Sequence, residues 1–236
     1  MESFVKMVAL VVGAVCFKVC GTPPRPPPTA ADRIYSKGMF EKIVRGYTHG
    51  AALVICVMYM VELAVVAAQQ FPEVAPSWTI SSFCPSTPSS PVDLLHVTPT
   101  FVLGTLLSIA ATVLRLACYR RLGDMFTFEV TMKSAHTLVT SGPYAYVRHP
   151  GYTGIFVVFC GSMMVLFSST GWITQCAVME TPFGFAFKVW LVSALWALYN
   201  FWKRCWIEDA QLKERFGRQW DMYARDVPYR MIPGVY

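Results

Sequence analysis

Residues 101–118 read Phe101-Val-Leu-Gly-Thr-Leu-Leu-Ser-Ile-Ala-Ala-Thr-Val-Leu-Arg-Leu-Ala-Cys118. A helix of about 20 apolar residues crosses the hydrocarbon core of a bilayer, and this run is close to that length. Four more segments share its character: 4–20, about 50–68, about 152–167 and about 183–202. The fourth in chain order is slightly short, so it tilts less, thins the bilayer or begins in the interface. The chain has 236 residues, 55% of them hydrophobic and only 14% charged. Soluble domains carry about a quarter charged residues. The sequence therefore predicts an all-α polytopic membrane protein of about five transmembrane helices, with a helical cytosolic carboxyl-terminal segment. It contains no internal repeat.

Lysines and arginines set the topology. Residues 21–48 hold Arg25, Arg33, Lys37, Lys42 and Arg45, and residues 119–150 hold Arg120, Arg121, Lys133 and Arg148. The tail holds Lys203, Arg204, Lys213, Arg215, Arg218, Arg225 and Arg230, whereas 69–98 and 170–184 hold none. This alternation follows the positive-inside rule and puts the carboxyl terminus in the cytosol. The net charge of +6 reads as topology plus contact with anionic headgroups. No compact basic surface interleaved with aromatics points to nucleic acid.

The first segment fits either a cleaved signal peptide or a retained helix whose Lys6 and Lys18 snorkel to the interfaces, and the retained helix is preferred. Prolines 23, 24, 26, 27 and 28 make a stiff connector within a linker spanning 21–48. The loop 71–99 reads as an irregular passive connector. Of the eight cysteines, most read as small core hydrophobes. Cys84 and Cys176 share charge-poor lumenal loops and could pair, but the core reading is preferred. No Cys-x-x-Cys or His/Cys spacing suggests a metal. Glu62, inside the second span, is either a functional carboxylate or a packing contact, and is assigned no role.

Two polar clusters fall on the cytosolic side. The first runs His136-Thr-Leu-Val-Thr-Ser-Gly-Pro-Tyr144-Ala-Tyr-Val-Arg148-His-Pro-Gly-Tyr152. Gly142-Pro143 makes a turn, and Pro150 disfavours helix at His149. Irregular backbone at membrane depth is tolerated where protein or a cavity surrounds it, the setting of a bound polar ligand. The second cluster is Arg204, Glu208 and Asp209. Arg204 and Glu208 lie four apart on one helical face, either as a surface ion pair of a few tenths of a kcal/mol or as a pair that separates onto an anion and a cation. The helix should end near Phe216, with Gly217 as its stop. Trp220, Tyr223, Val227, Tyr229 and Ile232 suit a segment folded back against the membrane face.

These residues resemble a known family. The run His136-Thr137-Leu138-Val139-Thr140-Ser141-Gly142-Pro143-Tyr144, continued by Arg148-His149-Pro150-Gly151-Tyr152, is similar to the cofactor motif of protein-S-isoprenylcysteine O-methyltransferases. Arg204-x-x-x-Glu208-Asp209-x-x-Leu212 and Phe216-Gly217 resemble that family's second motif. Where the family has Glu-Glu this chain has Glu208-Asp209, and Gly151 stands where a serine is common. The resemblance covers roughly 115–236. It implies methyl esterification of a prenylated C-terminal cysteine carboxylate with S-adenosylmethionine as donor, at the endoplasmic reticulum membrane. It implies that His136, Leu138, Val139, Tyr144, His149, Pro150, Gly151, Tyr152 and Glu208 contact the cofactor, with Glu129 at a further contact position. Arg204 would orient the substrate carboxylate, and Tyr144 or Tyr152 would border the sulfonium by cation–π attraction. The chain then divides at 118/119 into membrane spans one to three and a catalytic region holding spans four and five. Its partners are prenylated protein C-termini and membrane lipid.

Three rivals remain. Trp220-x-x-Tyr223 and Val227-Pro228-Tyr229-Arg230-x-x-Pro233 also resemble the tails of NADPH-dependent membrane sterol reductases, which share a His-Pro-x-Tyr element. Methylation of a phospholipid amine would make Arg204 a poor substrate residue. A membrane adaptor that kept the scaffold and lost activity is the non-enzyme reading.

Overall fold

A computed structural model describes residues 1–24, 26, 39–76, 78–84, 93–128 and 136–235. Its long helices are α1 (Glu2–Gly21), α2 (Met39–Gln70), α4 (Pro99–Leu122), α5 (Pro150–Leu166) and α7 (Pro182–Phe216). Three shorter ones, α3 (Trp78–Phe83), α6 (Trp172–Gln175) and α8 (Arg218–Asp226), sit in the connections and tail. The described residues contain no strand. The protein is an all-α polytopic membrane protein: α1, α2, α4 and α7 are long and apolar enough to cross a membrane, and α5 is a shorter apolar helix.

Local chemistry sets the helix starts. Thr98 caps α4, its Oγ1 accepting from the Phe101 amide at 3.2 Å, with Pro99 in the first turn. Thr181 caps α7 in the same way through the Gly184 amide at 3.1 Å, followed by Pro182. Both prolines sit where a missing N–H does no harm. His149, just ahead of Pro150, has φ −126° and is not helical, as the X-Pro constraint requires.

The core packs α1 against α2 and α4, and α4 against α5. The α4–α5 seam is close because it is lined with small residues. A Cβ on Gly161 would lie 2.6 Å from Ser108 Oγ and 2.7 Å from the Gly104 carbonyl. One on Gly154 would lie 2.5 Å from Arg115 Cγ. Between membrane helices, where lipid is as apolar as leucine, such close backbone packing is a main source of association.

Two helices overshoot their apolar segments at the same end. At 1.5 Å per residue the 35-residue α7 is about 52 Å long, while the hydrocarbon core is about 30 Å thick. Apolar span and tail helix are thus one rod, stopped at Gly217, whose φ of +52° suits glycine and whose N–H donates to Lys213 O at 2.9 Å. Helix α2 begins at Met39 rather than at residue 50. The last ten residues of the expected linker are therefore helical, and Glu41 among them pairs with Arg204.

Other expectations need correction. Cys84 and Cys176 form a disulfide that joins the two loops without lysine or arginine. Lys6 does not snorkel: it is fully buried, donating to Leu94 O at 3.0 Å and Thr170 O at 2.7 Å, with Glu62 Oε1 3.5 Å away. Buried charge tolerates the interior only when paired and hydrogen-bonded, and here a lysine on α1 meets a carboxylate on α2 and two loop carbonyls. Trp220, Tyr223 and Val227 pack inward as expected, but Tyr229 and Ile232 are exposed, and Met231 is the buried residue of that stretch.

Candidate functional site

The turn Gly142–Ala145 opens the first cluster. Gly142 has φ +65°, a left-handed conformation that favours glycine. The turn buries Tyr144, whose carbonyl accepts from the Tyr223 hydroxyl at 2.8 Å, and leaves Tyr146 exposed. Two-residue spacing therefore sends the two tyrosines opposite ways. The tail of the chain clamps the segment 148–153. The amides of Arg148 and His149 donate to the carbonyls of Tyr229 at 3.0 Å and Arg230 at 2.8 Å. Thr153 Oγ1 donates to Met231 O at 2.7 Å.

His149 lies between two acids of α7. Its Nε2 is 2.9 Å from Asp209 Oδ1 and its Nδ1 is 3.5 Å from Glu208 Oε2. Burial pushes the imidazole toward neutrality, but hydrogen bonds and charge from Asp209 and Glu208 outweigh it and hold it up at about 9. His149 is therefore a cation at neutral pH, a brace between helices and not a proton acceptor. Asp209 also receives Arg230 Nε at 2.9 Å and stands 3.4 Å from Arg148 Nη1. One carboxylate thus ties loop, helix and tail. The Tyr152 hydroxyl donates to Glu208 Oε1.

Arg204 does not pair with Glu208, although they lie four apart on α7. Its Nε donates to Glu41 Oε1 at 2.8 Å, its Nη2 to Glu41 Oε2, and its Nη1 to Phe128 O at 2.5 Å. The surface-pair reading fails because both groups are drawn to other partners, and Arg204 is buried. A fourth guanidinium comes from the membrane helix α4. Arg115 is buried, donates from Nε to the Tyr119 hydroxyl at 3.0 Å and from Nη1 to Gly151 O at 2.7 Å, and has no partner on Nη2.

A single cavity joins these groups. It is lined by His136, Leu138, Val139, Tyr144, His149, Gly151 and Tyr152 from the first cluster and by Arg204 and Glu208 from the second, with Arg115 and aromatic walls from Phe126, Phe128 and Phe201. Pro150 is buried as the first residue of α5 and does not line the cavity. Glu129 lies outside the described residues. A second cavity, lined by Phe17, Trp190, Leu198 and other apolar groups, shares Phe128, Ile155 and Phe201 with the first. No cluster of metal-ligating side chains occurs among the described residues.

Sequence reasoning missed Glu41, Arg115 and the roles of Asp209 and Arg230. Arg115 carried a signal, a guanidinium inside an apolar segment. Glu41 carried none, because it belongs to a stretch that composition assigns to a linker.

The arrangement can hold an anion and a cation side by side in a low-dielectric chamber. Arg115 and Arg204 line it with guanidinium groups, which suit an anion, and Glu208 with the Tyr152 and Phe201 rings are groups that suit a cation.

Comparison with known proteins finds similarity over part of the chain. Residues 102–214 match the model of the isoprenylcysteine carboxyl methyltransferase (ICMT) family. The chain is 28% identical over 142 residues to a protein-S-isoprenylcysteine O-methyltransferase of Schizosaccharomyces pombe, covering 55% of this chain and 52% of that one. It is 26% identical over 196 residues to protein-S-isoprenylcysteine O-methyltransferase B of Arabidopsis thaliana, covering 82% and 78% respectively. It is also 27% identical over 105 residues to a probable 7-dehydrocholesterol reductase of Acanthamoeba polyphaga mimivirus, covering 44% and 20%. The chain spans about half the length of the first curated relatives it matches.

Proposed function

We propose that the chain, whose residues 102–214 match the isoprenylcysteine carboxyl methyltransferase family, is a member of it and methylates the C-terminal carboxylate of prenylated cysteine with S-adenosylmethionine as donor. The observation that carries this reading is the single cavity lined by Arg204, Arg115 and Glu208 together, beside an apolar cavity that shares its wall. The donor, when bound, supplies a methyl group on a positively charged sulfur. The acceptor carboxylate is already ionised near neutral pH, so the site needs no general base, in keeping with a His149 that is held protonated.

The residues fit both ligands. The unpaired Nη2 of Arg115 and the remaining N–H groups of Arg204 suit the acceptor carboxylate. A guanidinium fork aligns a carboxylate better than a point charge would, and alignment is the larger part of what such a transfer requires. Glu208, with Tyr152, suits the ammonium or sulfonium end of the donor. Phe126 and Phe128 are apolar walls of the chamber and would help to exclude water from the anion. The prenyl chain takes the apolar cavity between α1, α2, α5 and α7. In this reading the catalytic region is 119–236, spans one to three form 1–118, and the site faces the cytosol at the endoplasmic reticulum membrane.

The test is direct. Membranes containing the chain, given labelled S-adenosylmethionine and N-acetyl-S-farnesylcysteine, should form a base-labile methyl ester. Glu208→Gln should lower kcat/KM by about tenfold or more, the factor one charged hydrogen bond carries. The similarity to a probable sterol reductase over 105 residues supports one alternative. NADPH oxidation with a sterol, and no ester, would establish that reading instead.

A further inference from the structure

We infer that Glu41 is a positioning residue that holds the Arg204 guanidinium ready for the acceptor carboxylate, an inference that rests on the esterification reading. Glu41 stands on the first turn of α2, outside the family-matched residues 102–214. It does not line the cavity, whereas Arg204 does. Glu41 therefore sits behind the guanidinium and leaves its cavity face free.

The donor count supports this placement. A guanidinium has five N–H groups. Glu41 takes one from Nε and one from Nη2, and Phe128 O takes one from Nη1. One N–H remains on each terminal nitrogen, the number that a bidentate carboxylate accepts. Both partners are buried, and the Phe40 and Phe201 rings flank the guanidinium at 5.2 and 5.7 Å. The group is thus fixed in plane and in rotation before any ligand arrives, and pre-organisation of this kind lowers the ordering cost of binding.

Without the Glu41 carboxylate, the nearest alternative on the same helix face is Glu208, one turn along α7. Arg204 would swing to it, and the anion-binding and cation-binding halves of the site would cancel each other. Glu41 keeps them apart. A glutamine at this position retains one acceptor oxygen but turns an NH₂ against the guanidinium, so at most one of the two bonds survives.

The experiment compares wild type with Glu41→Gln in detergent-purified full-length protein. It measures binding of N-acetyl-S-farnesylcysteine and of its methyl ester without donor, then the acceptor KM and kcat per folded molecule. Wild type should prefer the acid to the ester. In Glu41→Gln that preference should narrow, and the acceptor KM should rise, by about tenfold, the factor one charged hydrogen bond carries. A folded Glu41→Gln with wild-type preference and wild-type KM overturns the inference. If Glu41→Gln does not fold, Glu41→Asp decides. It keeps the charge with a reach shorter by one methylene, and it should melt like wild type with a severalfold higher acceptor KM. A wild-type KM in Glu41→Asp, or failure of both variants to fold, means that Glu41 is structural only and overturns the inference. Wild type that neither forms ester nor prefers the acid defeats the esterification reading itself.

Discussion

Asp209 organises the polar site as a single residue. It receives His149, Arg148 and Arg230, so one carboxylate neutralises cations from the loop, α5's cap and the tail. Asp209→Asn should therefore destabilise the protein by about 3–5 kcal/mol, the cost of leaving buried charge without its partner, read as a lower thermal midpoint in detergent. Asp209→Glu should keep most of the stability, since the charge remains. His149 gives a pH dependence with a definite sign. Its folded value of about 9 lies above the ordinary 6.5, so its contribution is complete below about pH 6.5, declines between 6.5 and 9, and is spent above 9. The thermal midpoint of wild type should fall across that window, and the fall should be shallower in His149→Gln. A midpoint with the same pH slope in both proteins would refute the assignment of His149 as a protonated brace.

At the level of elements, the seam between α4 and α5 sets the position of Arg115. Gly154 lies so close to Arg115 Cγ that any side chain displaces the arginine. Overpacking of this kind costs about 1–3 kcal/mol. Gly154→Ala should remain folded, with a midpoint a few degrees lower, yet lose about tenfold or more in ester formation as the guanidinium moves off Gly151 O. Ester formation at the wild-type rate would show that Arg115 is remote from the reaction. Helix α7 matters in a different way. Span and tail are one rod, so Arg204 and Glu208 inherit the rigidity of a membrane helix. Sites on helices hold geometry better than sites on loops, and the irregular first cluster gains comparable rigidity only because the tail is bonded across it.

The whole molecule is tied at both ends. At one end the polar site joins α2, α5, α7 and the tail. At the other the Cys84–Cys176 disulfide closes a separation of 92 residues, and Lys6 bridges α1 to two loops. A disulfide persists in an oxidising compartment, as the lumenal side proposed for those loops would require. Reduction, or Cys84→Ser, should lower stability by about 2–4 kcal/mol while leaving the acceptor KM unchanged. Peptide mapping without reductant should recover Cys84 linked to Cys176.

Much of this was legible in the sequence. Five apolar segments, the charge alternation, the X-Pro break at His149 and the Gly217 stop are local properties of the chain, and local sterics and hydrophobicity act on neighbours in sequence. The two clusters could likewise be read as halves of one site, because each motif is contiguous. What only the tertiary structure decided is which charges meet. Arg204 takes Glu41, 163 residues away, and not Glu208 one turn along. Lys6 takes two loop carbonyls and stands beside Glu62 instead of reaching the interface. Cys84 finds Cys176. The reason is common to all three: a buried charge or thiol is satisfied by whatever packing brings within about 3–4 Å, and a linear pattern records the need for a partner without recording who it is.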